Sequence, residues 1–258
     1  MDTVDNLFRR LEQLNEIGAA LSQEKNLAGL LEKILIAAKT ITRADGGTLY
    51  LLTEEKRLRF AILRTDSLGI AMGGSTGNEV PFYPIHLRNK DGEPNYQMVV
   101  AYAALTGKTV NISDAYTEAG FDFSGTRNFD KKTGYRSQSF LTVPMKNHEG
   151  EIIGVLQLIN RLLPDSNDIA PFSESDQRLA ESLASQAAIA ITNRQLIDQL
   201  EQLFESFIVL INTAIDDKSP YTGGHCQRVP ELTMMLAEAV NESGSDLLGG
   251  FSMTDKDR

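Results

Sequence analysis

Apolar residues recur at helical spacing at both ends of the chain. Near the start, spacings of three and four residues predict a helix with one apolar stripe over residues 4–22, made by Leu7, Leu11, Leu14, Ile17 and Leu21. A second helix is predicted from Leu27 to a turn at residues 45–47. Towards the other end, a helix of roughly 40 residues starts at Ser173, whose hydroxyl can cap it, with Asp176 in its first turn.

The middle of the chain has the short β-prone runs that are typical of strands. Residues 48–52 and 58–63 predict one hairpin, and residues 139–144 and 151–159 predict another. Two prolines make residues 78–87 an edge strand or a bulge, and a short helix is predicted over residues 98–105. Loops are predicted over residues 66–78 and between residues 113 and 138. The sequence therefore predicts an α+β domain with five or six strands and flanking helices.

Composition narrows the class of protein. Of the 258 residues, 41% are hydrophobic and 23% are charged, which is typical of a folded globular chain. The net charge of −10 argues against binding to nucleic-acid phosphates, which requires a basic face. The lone cysteine, Cys226, favours a reducing compartment, and no apolar run reaches the roughly 18 residues of a membrane span. We expect a cytoplasmic protein with neither a membrane nor a nucleic acid as its partner.

Few residues indicate a metal-binding, catalytic or phosphate-binding site by themselves. His86 and His148 lie in a predicted edge strand and a turn, which favours ordinary surface roles. His225 follows a Tyr-Thr-Gly-Gly turn, where a metal ligand, a phosphate contact and a plain helix cap all stay open. The common nucleotide-binding and nucleophile motifs are absent from the sequence. A polar stretch near Asp130 is either a binding site for a small phosphorylated ligand or a turn-rich loop. Its hydroxyl residues are Thr126, Thr133, Ser137, Ser139 and Thr142.

Four segments of the middle region resemble the GAF domains of cyclic-nucleotide phosphodiesterases and cyclases. They are LTGKTVNISDAY at 105–116, FDKKTGYRSQS at 129–139, VPMKN at 143–147 and GVLQLIN at 154–160. The resemblance spans residues 27–195. It implies the GAF fold, a central antiparallel sheet of about six strands flanked by helices, with long N- and C-terminal helices.

A signature of that subgroup, Asn-Lys, then Phe, then Asp-Glu, is present with two changes. It occurs as Asn160-Arg161, Phe172 and Asp176-Gln177, so that arginine replaces lysine and glutamine replaces glutamate. The resemblance implies that Arg161 and Asp176 form the ion pair that closes a lid helix. Arginine keeps the positive charge that such a pair needs.

The same resemblance implies a cyclic-nucleotide site with contacts at Thr48, Arg64, Asp130, Thr133, Ser137 and Gln157. Thr133 and Ser137 stand four residues apart, which on a helical turn places both hydroxyls on one face. Arg64 only donates hydrogen bonds, which favours cyclic AMP over cyclic GMP. A regulatory ligand-sensing module is therefore the leading hypothesis. A GAF dimerisation platform without a ligand is the alternative.

The tail resembles the first helix of HD and HD-GYP metal-dependent phosphohydrolases in residues 214–229, AIDDKSPYTGGHCQRV. The resemblance implies that His225 is a metal ligand in a longer parent, with iron or manganese as the cofactor and cyclic di-GMP as a candidate substrate. The family's His-Asp pair lies on a later helix and does not occur here. We therefore expect a truncated domain, with no cofactor and no catalysis in this chain.

These patterns divide the chain into four parts. Residues 1–26 are a predicted N-terminal dimerisation helix, 27–195 the GAF sensor domain, 196–218 a coiled-coil signalling helix and 219–258 the start of the HD or HD-GYP domain. The coiled-coil segment has an a/d seam at Leu196, Leu200, Leu203, Phe207 and Leu210. The seam predicts a parallel homodimer through the terminal helices. Packing of the N- and C-terminal stripes within one chain is the alternative.

Overall fold

The computed structural model describes residues 12, 15–21, 23–218, 225–243 and 253–254. The chain divides into two compact units, Met1–Leu196 and Ile197–Arg258. Within the described residues, no helix combines the length and the apolar character that crossing a bilayer requires. Of the predicted N-terminal helix, residues 15–21 are described and helical, whereas residues 1–11 lie outside the described part.

The elements confirm the α+β prediction. The helices are α1 (Leu27–Thr42), α2 (Val99–Thr106), α3 (Ser124–Thr133), α4 (Glu174–Lys218) and α5 (His225–Ser243). The strands are β1 (Ala44–Leu52), β2 (Arg57–Thr65), β3 (Ile70–Gly73), β4 (Ile85–His86), β5 (Val110–Ile112), β6 (Phe140–Lys146), β7 (Ile152–Leu162) and β8 (Ile169–Ala170). They form one antiparallel sheet in the order β3-β2-β1-β7-β6-β5, with β4 beside β2 and β8 beside β7.

The prediction of a turn at residues 45–47 is wrong. Arg43 makes the turn instead, with a left-handed φ of 56°, and β1 starts at Ala44. Gly47 allows α1 to pack closely on β1, because a Cβ at this position would lie 2.8 Å from Cδ1 of Leu35 in α1. Small residues here let the helix lie directly on the strand.

Three further segments differ from the prediction. The loop predicted over residues 66–78 contains β3, and the long loop after Ser113 contains α3. The edge strand predicted over residues 78–87 is reduced to β4. Pro81 and Pro84 have no N–H to donate to a strand ladder, which accounts for the short strand.

Side chains of the two central strands alternate between the faces of the sheet. The register of β1 and β7 pairs Leu49 with Leu156, and these residues pack into the main core with α1 and the first part of α4. The next pair, Tyr50 and Val155, packs on the opposite face with α2. The sheet thus has one face covered by two helices and a second face shared by α2 and α3.

The first turn of helix α4 contains a fully buried acid, Asp176. The Asp176 carboxylate accepts hydrogen bonds from the Ser173 N–H (3.0 Å) and hydroxyl (2.6 Å), and the Asp176 N–H donates to the Ser173 hydroxyl (3.2 Å). This reciprocal arrangement is a capping box with aspartate in the acidic position. Nε of Arg161, in β7, lies 2.7 Å from Oδ2 of Asp176. The two residues that the resemblance pairs are therefore in contact, and they tie α4 to the sheet.

We expect Asp176→Ala to lower the free energy of unfolding by about 3 kcal/mol, because it leaves the Arg161 charge without its partner and removes the carboxylate half of the capping box. Urea unfolding measures the change. Glu174→Ala is the matched control, since Glu174 is 92% exposed and its contact with Arg178 is 3.5 Å long. The control should lose less than about 1 kcal/mol. Equal losses in both variants would contradict this role for Asp176.

Candidate functional site

A cavity of about 390 Å³ lies on the face of the sheet that carries α2 and α3. Its volume falls within the range of about 300–1,000 Å³ that is common for small-molecule sites. The central strands β1 and β7 form its floor, and the first turns of α2 and α3 form part of its wall. Its lining residues with polar side-chain atoms are Thr48, Tyr50, Thr65, Tyr83, Asp122, Thr126, Tyr135, Ser137 and Gln157.

The floor of the cavity is a neutral hydrogen-bonding surface. Thr48 on β1 pairs in register with Gln157 on β7, and both side chains are buried. The Gln157 amide donates to the Thr142 hydroxyl at 3.1 Å and accepts from the Tyr50 hydroxyl at 3.4 Å. Burial raises the pKa of Tyr50 well above its ordinary value, so its hydroxyl stays protonated. No charge develops here at physiological pH.

A buried carboxylate anchors the segment that follows α3. Asp130 accepts hydrogen bonds from the Ser137 N–H (2.8 Å), the Ser137 hydroxyl (2.7 Å) and the Tyr116 hydroxyl (2.7 Å). The hydrogen bond to Asp130 is also the main reason why the pKa of Tyr116 is raised. Asp130 itself is not part of the cavity lining. It positions Ser137, which is.

The first turn of α3 borders the cavity through Gly125 and Thr126. Oδ1 of Asp122 accepts the Ser124 N–H at 2.8 Å, and this bond is the main cause of the lowered pKa of Asp122. The leading N–H groups of a helix lack intrahelical acceptors and carry partial positive charge. None of the lining residues in the described part of the chain is Lys, Arg or His. The lining therefore combines the N-terminal end of a helix with hydroxyl side chains.

Tyr135 forms another part of the wall and is held from outside the cavity. Its hydroxyl donates to Oδ2 of Asp45 at 2.6 Å, and Asp45 also accepts the N–H and hydroxyl of Ser67 at 3.0 and 2.7 Å. Burial, followed by the nearby carboxylate, raises the pKa of Tyr135 above its ordinary range. The sequence reasoning missed Tyr135. Its place in the 129–139 segment, between Thr133 and Ser137, was the available signal.

The structure brings together only part of the predicted ligand set. Thr48, Ser137 and Gln157 line the cavity, and Asp130 supports Ser137 from behind. Thr133 is exposed, and its hydroxyl donates to the Phe129 carbonyl at 2.9 Å. Helix α3 ends at Thr133, because Gly134 takes a left-handed φ of 73°. The expectation that Thr133 and Ser137 share a helical face is therefore wrong.

Arg64 lies on the opposite face of the sheet from the cavity. In β2 it alternates with Leu63 and Thr65, which do line the cavity. Its guanidinium pairs with Glu32 of α1, which also accepts the Ser75 hydroxyl. A preference for cyclic AMP requires Arg64 beside the base, and Arg64 is not there.

The structure does not test the metal ligand predicted in the tail. His225 is the first residue of α5, and its side chain lies outside the described part. Across the described residues, no group of three or more His, Cys, Asp or Glu side chains is arranged to hold a metal ion. His86 and His148 are exposed. The role of His225 in a longer protein stays a prediction.

Comparison with known proteins identifies the family. The GAF domain model matches residues 26–191, which is more than half of the chain, so this chain belongs to the GAF domain family. A cGMP-specific 3',5'-cyclic phosphodiesterase of Drosophila mojavensis is 28% identical over 209 residues, covering 79% of this chain and 17% of the relative. The enzyme of the same name from Drosophila sechellia is 27% identical over 209 residues, covering 79% and 16%. The chain thus spans less than a fifth of the length of these curated relatives.

Solved structures agree on the fold. The GAF domain of a phosphoenolpyruvate-protein phosphotransferase from Coxiella burnetii has a TM-score of 0.55 at 14% identity, over 74% of this chain and 96% of that one. The corresponding domain from Acinetobacter has a TM-score of 0.53 at 18% identity, over 74% and 98%. At this identity the likeness establishes the GAF fold alone. The proposed phosphohydrolase start after residue 218 lies beyond the family match.

We expect Asp130→Asn to lower the free energy of unfolding by about 2 kcal/mol, because one amide oxygen cannot accept the three hydrogen bonds of the carboxylate. Thermal and urea unfolding measure the loss. Lys131→Gln is the control, since it neutralises an exposed side chain at the next position of α3. An unfolding midpoint for Asp130→Asn equal to that of the control would show that the anchor is unimportant.

Proposed function

We propose that this chain is a regulatory module that senses one 3',5'-cyclic nucleotide, bound in the cavity between the sheet and α3. The observation that carries the proposal is the lining. It combines the first turn of α3, the hydroxyls of Thr48 and Thr126, and an aromatic wall. An anionic group and a planar ring each find a suitable partner there. The similarity to cGMP-specific phosphodiesterases supports the same ligand class.

The charge of the lining supports a cyclic phosphate over other nucleotides. A cyclic phosphodiester carries one negative charge, whereas nucleoside di- and triphosphates carry several. The lining residues in the described part of the chain include no cation and one acid, Asp122. A helix N-terminus supplies only about half a positive charge, and burying unpaired charge is costly. A singly charged ligand therefore fits this cavity better than ATP or GTP.

The lining does not discriminate between adenine and guanine. The hydroxyls and the Gln157 amide both donate and accept hydrogen bonds, so each base finds partners. The preference for cyclic AMP depended on Arg64, which lies on the other face of the sheet. The proposal therefore covers both nucleotides, and the similarity to the Drosophila enzymes favours cyclic GMP.

A dimerisation platform without a ligand is the second candidate function. The observation in its favour is the row of exposed apolar side chains on the second half of α4, where Leu200, Leu203 and Leu210 are 65–67% exposed. Such a row in water is unfavourable and is typical of a contact surface. We propose that two chains pair through their terminal helices along the predicted a/d seam. A ligand-free platform would pair in this way and show no response to nucleotides.

We further propose how ligand binding is transmitted through α4 to a following domain. The Arg161–Asp176 ion pair holds the start of α4 against β7 and acts as the closure of the lid helix. In a longer protein, the residues after Lys218 begin an HD or HD-GYP phosphohydrolase, with His225 as the first ligand of iron or manganese. The sequence resemblance of residues 214–229 and the helix start at His225 support this arrangement. Helix α4 then connects sensor and enzyme.

The first test measures stabilisation by ligand. At a concentration 100 times its dissociation constant, cyclic AMP or cyclic GMP should stabilise the fold by about 2.7 kcal/mol, whereas ATP should not. Differential scanning calorimetry measures the shift. Thr126→Val should raise the dissociation constant about fivefold by removing one hydrogen bond, and Thr133→Val, on the same helix outside the cavity, should leave it unchanged. No shift with either cyclic nucleotide would overturn the ligand proposal and favour the platform.

The second test measures association. We expect sedimentation velocity to show a dimer for the natural chain and a folded monomer for Leu203→Asp with Phe207→Asp, because these changes put two charges per chain into the seam. Gln202→Asp, which adds an acid beside the seam, should remain a dimer. A folded monomer for the natural chain at micromolar concentration would contradict the dimer proposal.

A further inference from the structure

The loop before β4 places an exposed aromatic ring at the mouth of the cavity. Tyr83 lines the cavity, yet its side chain is 93% exposed. It is the most exposed large hydrophobic side chain in the described part of the chain. A ring with so little buried surface adds little to the stability of the fold. Its position beside the cavity points to a contact with a ligand.

A row of aromatic rings leads from the floor of the cavity to this mouth. The ring centroids of Tyr50 and Phe60 are 4.7 Å apart, and those of Phe60 and Phe82 are 5.3 Å apart. All three residues line the cavity, and Phe82 is 40% exposed at the outer end of the row. Tyr83 follows it directly. One wall of the cavity is therefore aromatic from floor to mouth.

The polar part of the lining comes from other elements. Gly125 and Thr126 belong to the first turn of α3, and Ser137 follows that helix. A ligand with one planar apolar part and one anionic part finds complementary partners among these two sets of residues. A nucleotide has this division between its base and its phosphate.

The backbone around Tyr83 is restricted before any ligand binds. Pro81 and Pro84 flank the Phe82-Tyr83 pair. Proline fixes its own φ, and it also disfavours the helical region for the residue before it, here Tyr83. A segment with few accessible conformations loses little entropy when it contacts a ligand. The loop can therefore present the ring at low entropic cost.

We propose that Tyr83 is the base-stacking residue of this cavity and covers the bound purine at its mouth. The inference rests on the proposed cyclic-nucleotide site, and it assigns the base to the aromatic wall and the phosphate to the first turn of α3. Stacking is tolerant of base identity, because every base has a π-face. Tyr83 therefore contributes to affinity for cyclic AMP and cyclic GMP alike and does not choose between them.

Isothermal titration of both cyclic nucleotides into four proteins tests this. Tyr83→Ala should raise the dissociation constant about tenfold for each nucleotide, and Tyr83→Phe, which keeps the ring, should bind like the natural chain. Tyr96→Ala is the matched control, since Tyr96 is also a surface tyrosine, 50% exposed, and lies outside the lining. Natural binding by Tyr83→Ala would overturn the inference alone. Failure of the natural chain to bind either nucleotide would overturn the proposed function as well.

Fluorescence gives a second, independent readout. The chain contains no tryptophan, so Tyr83→Trp introduces a single reporter at the mouth. At saturation with cyclic AMP or cyclic GMP, its emission should shift to shorter wavelength or be quenched, and iodide should quench it less, because the base covers the ring. A matched Tyr96→Trp protein should show no such change. Unchanged emission and iodide quenching in a Tyr83→Trp protein that binds the nucleotide would place the base elsewhere.

Discussion

The arrangement depends on the alternation of side chains along β1 and β7, the two strands at the centre of the sheet. The same strands must build the main core on one face and the floor of a cavity on the other. Leu49 and Leu156 pack under α1 and α4, whereas the register pair Thr48 and Gln157 lies on the cavity side. A shift of one residue in register would exchange these sets and bury the polar pair in the core. The core thus fixes which side chains a ligand can meet.

The same alternation explains why the site was only partly predictable. Thr48 and Gln157, which the resemblance gives as ligand contacts, both line the cavity, because they lie on the central strands on the side away from the main core. Arg64 was placed with them by resemblance, although Leu63 and Thr65 on either side of it face the cavity. In β2 the register shifts opposite Leu49 and Tyr50 of β1, so the face of each residue is not evident from periodicity alone.

Other parts of the site depend on contacts between distant residues. Asp130 holds Ser137 and Tyr116, and Tyr135 reaches Asp45, which lies 90 residues earlier in the chain. Sequence patterns report on neighbours along the chain, so these bonds were not predicted. Helix α3 was predicted as a loop. The cap at Ser173 and Asp176 is local, and it was predicted correctly. Local chemistry was thus more predictable than the packing that shapes the cavity.

The central claim is that a cyclic nucleotide occupies the α3 face of the sheet. Amide NMR spectra of the chain, recorded with and without saturating cyclic GMP and cyclic AMP, test it most directly. The account predicts shifts for Gly125, Thr126 and Ser137, and none for Lys39 and Arg64, which lie on the opposite face of the sheet. Shifts confined to that opposite face, or no shifts at all, would contradict it.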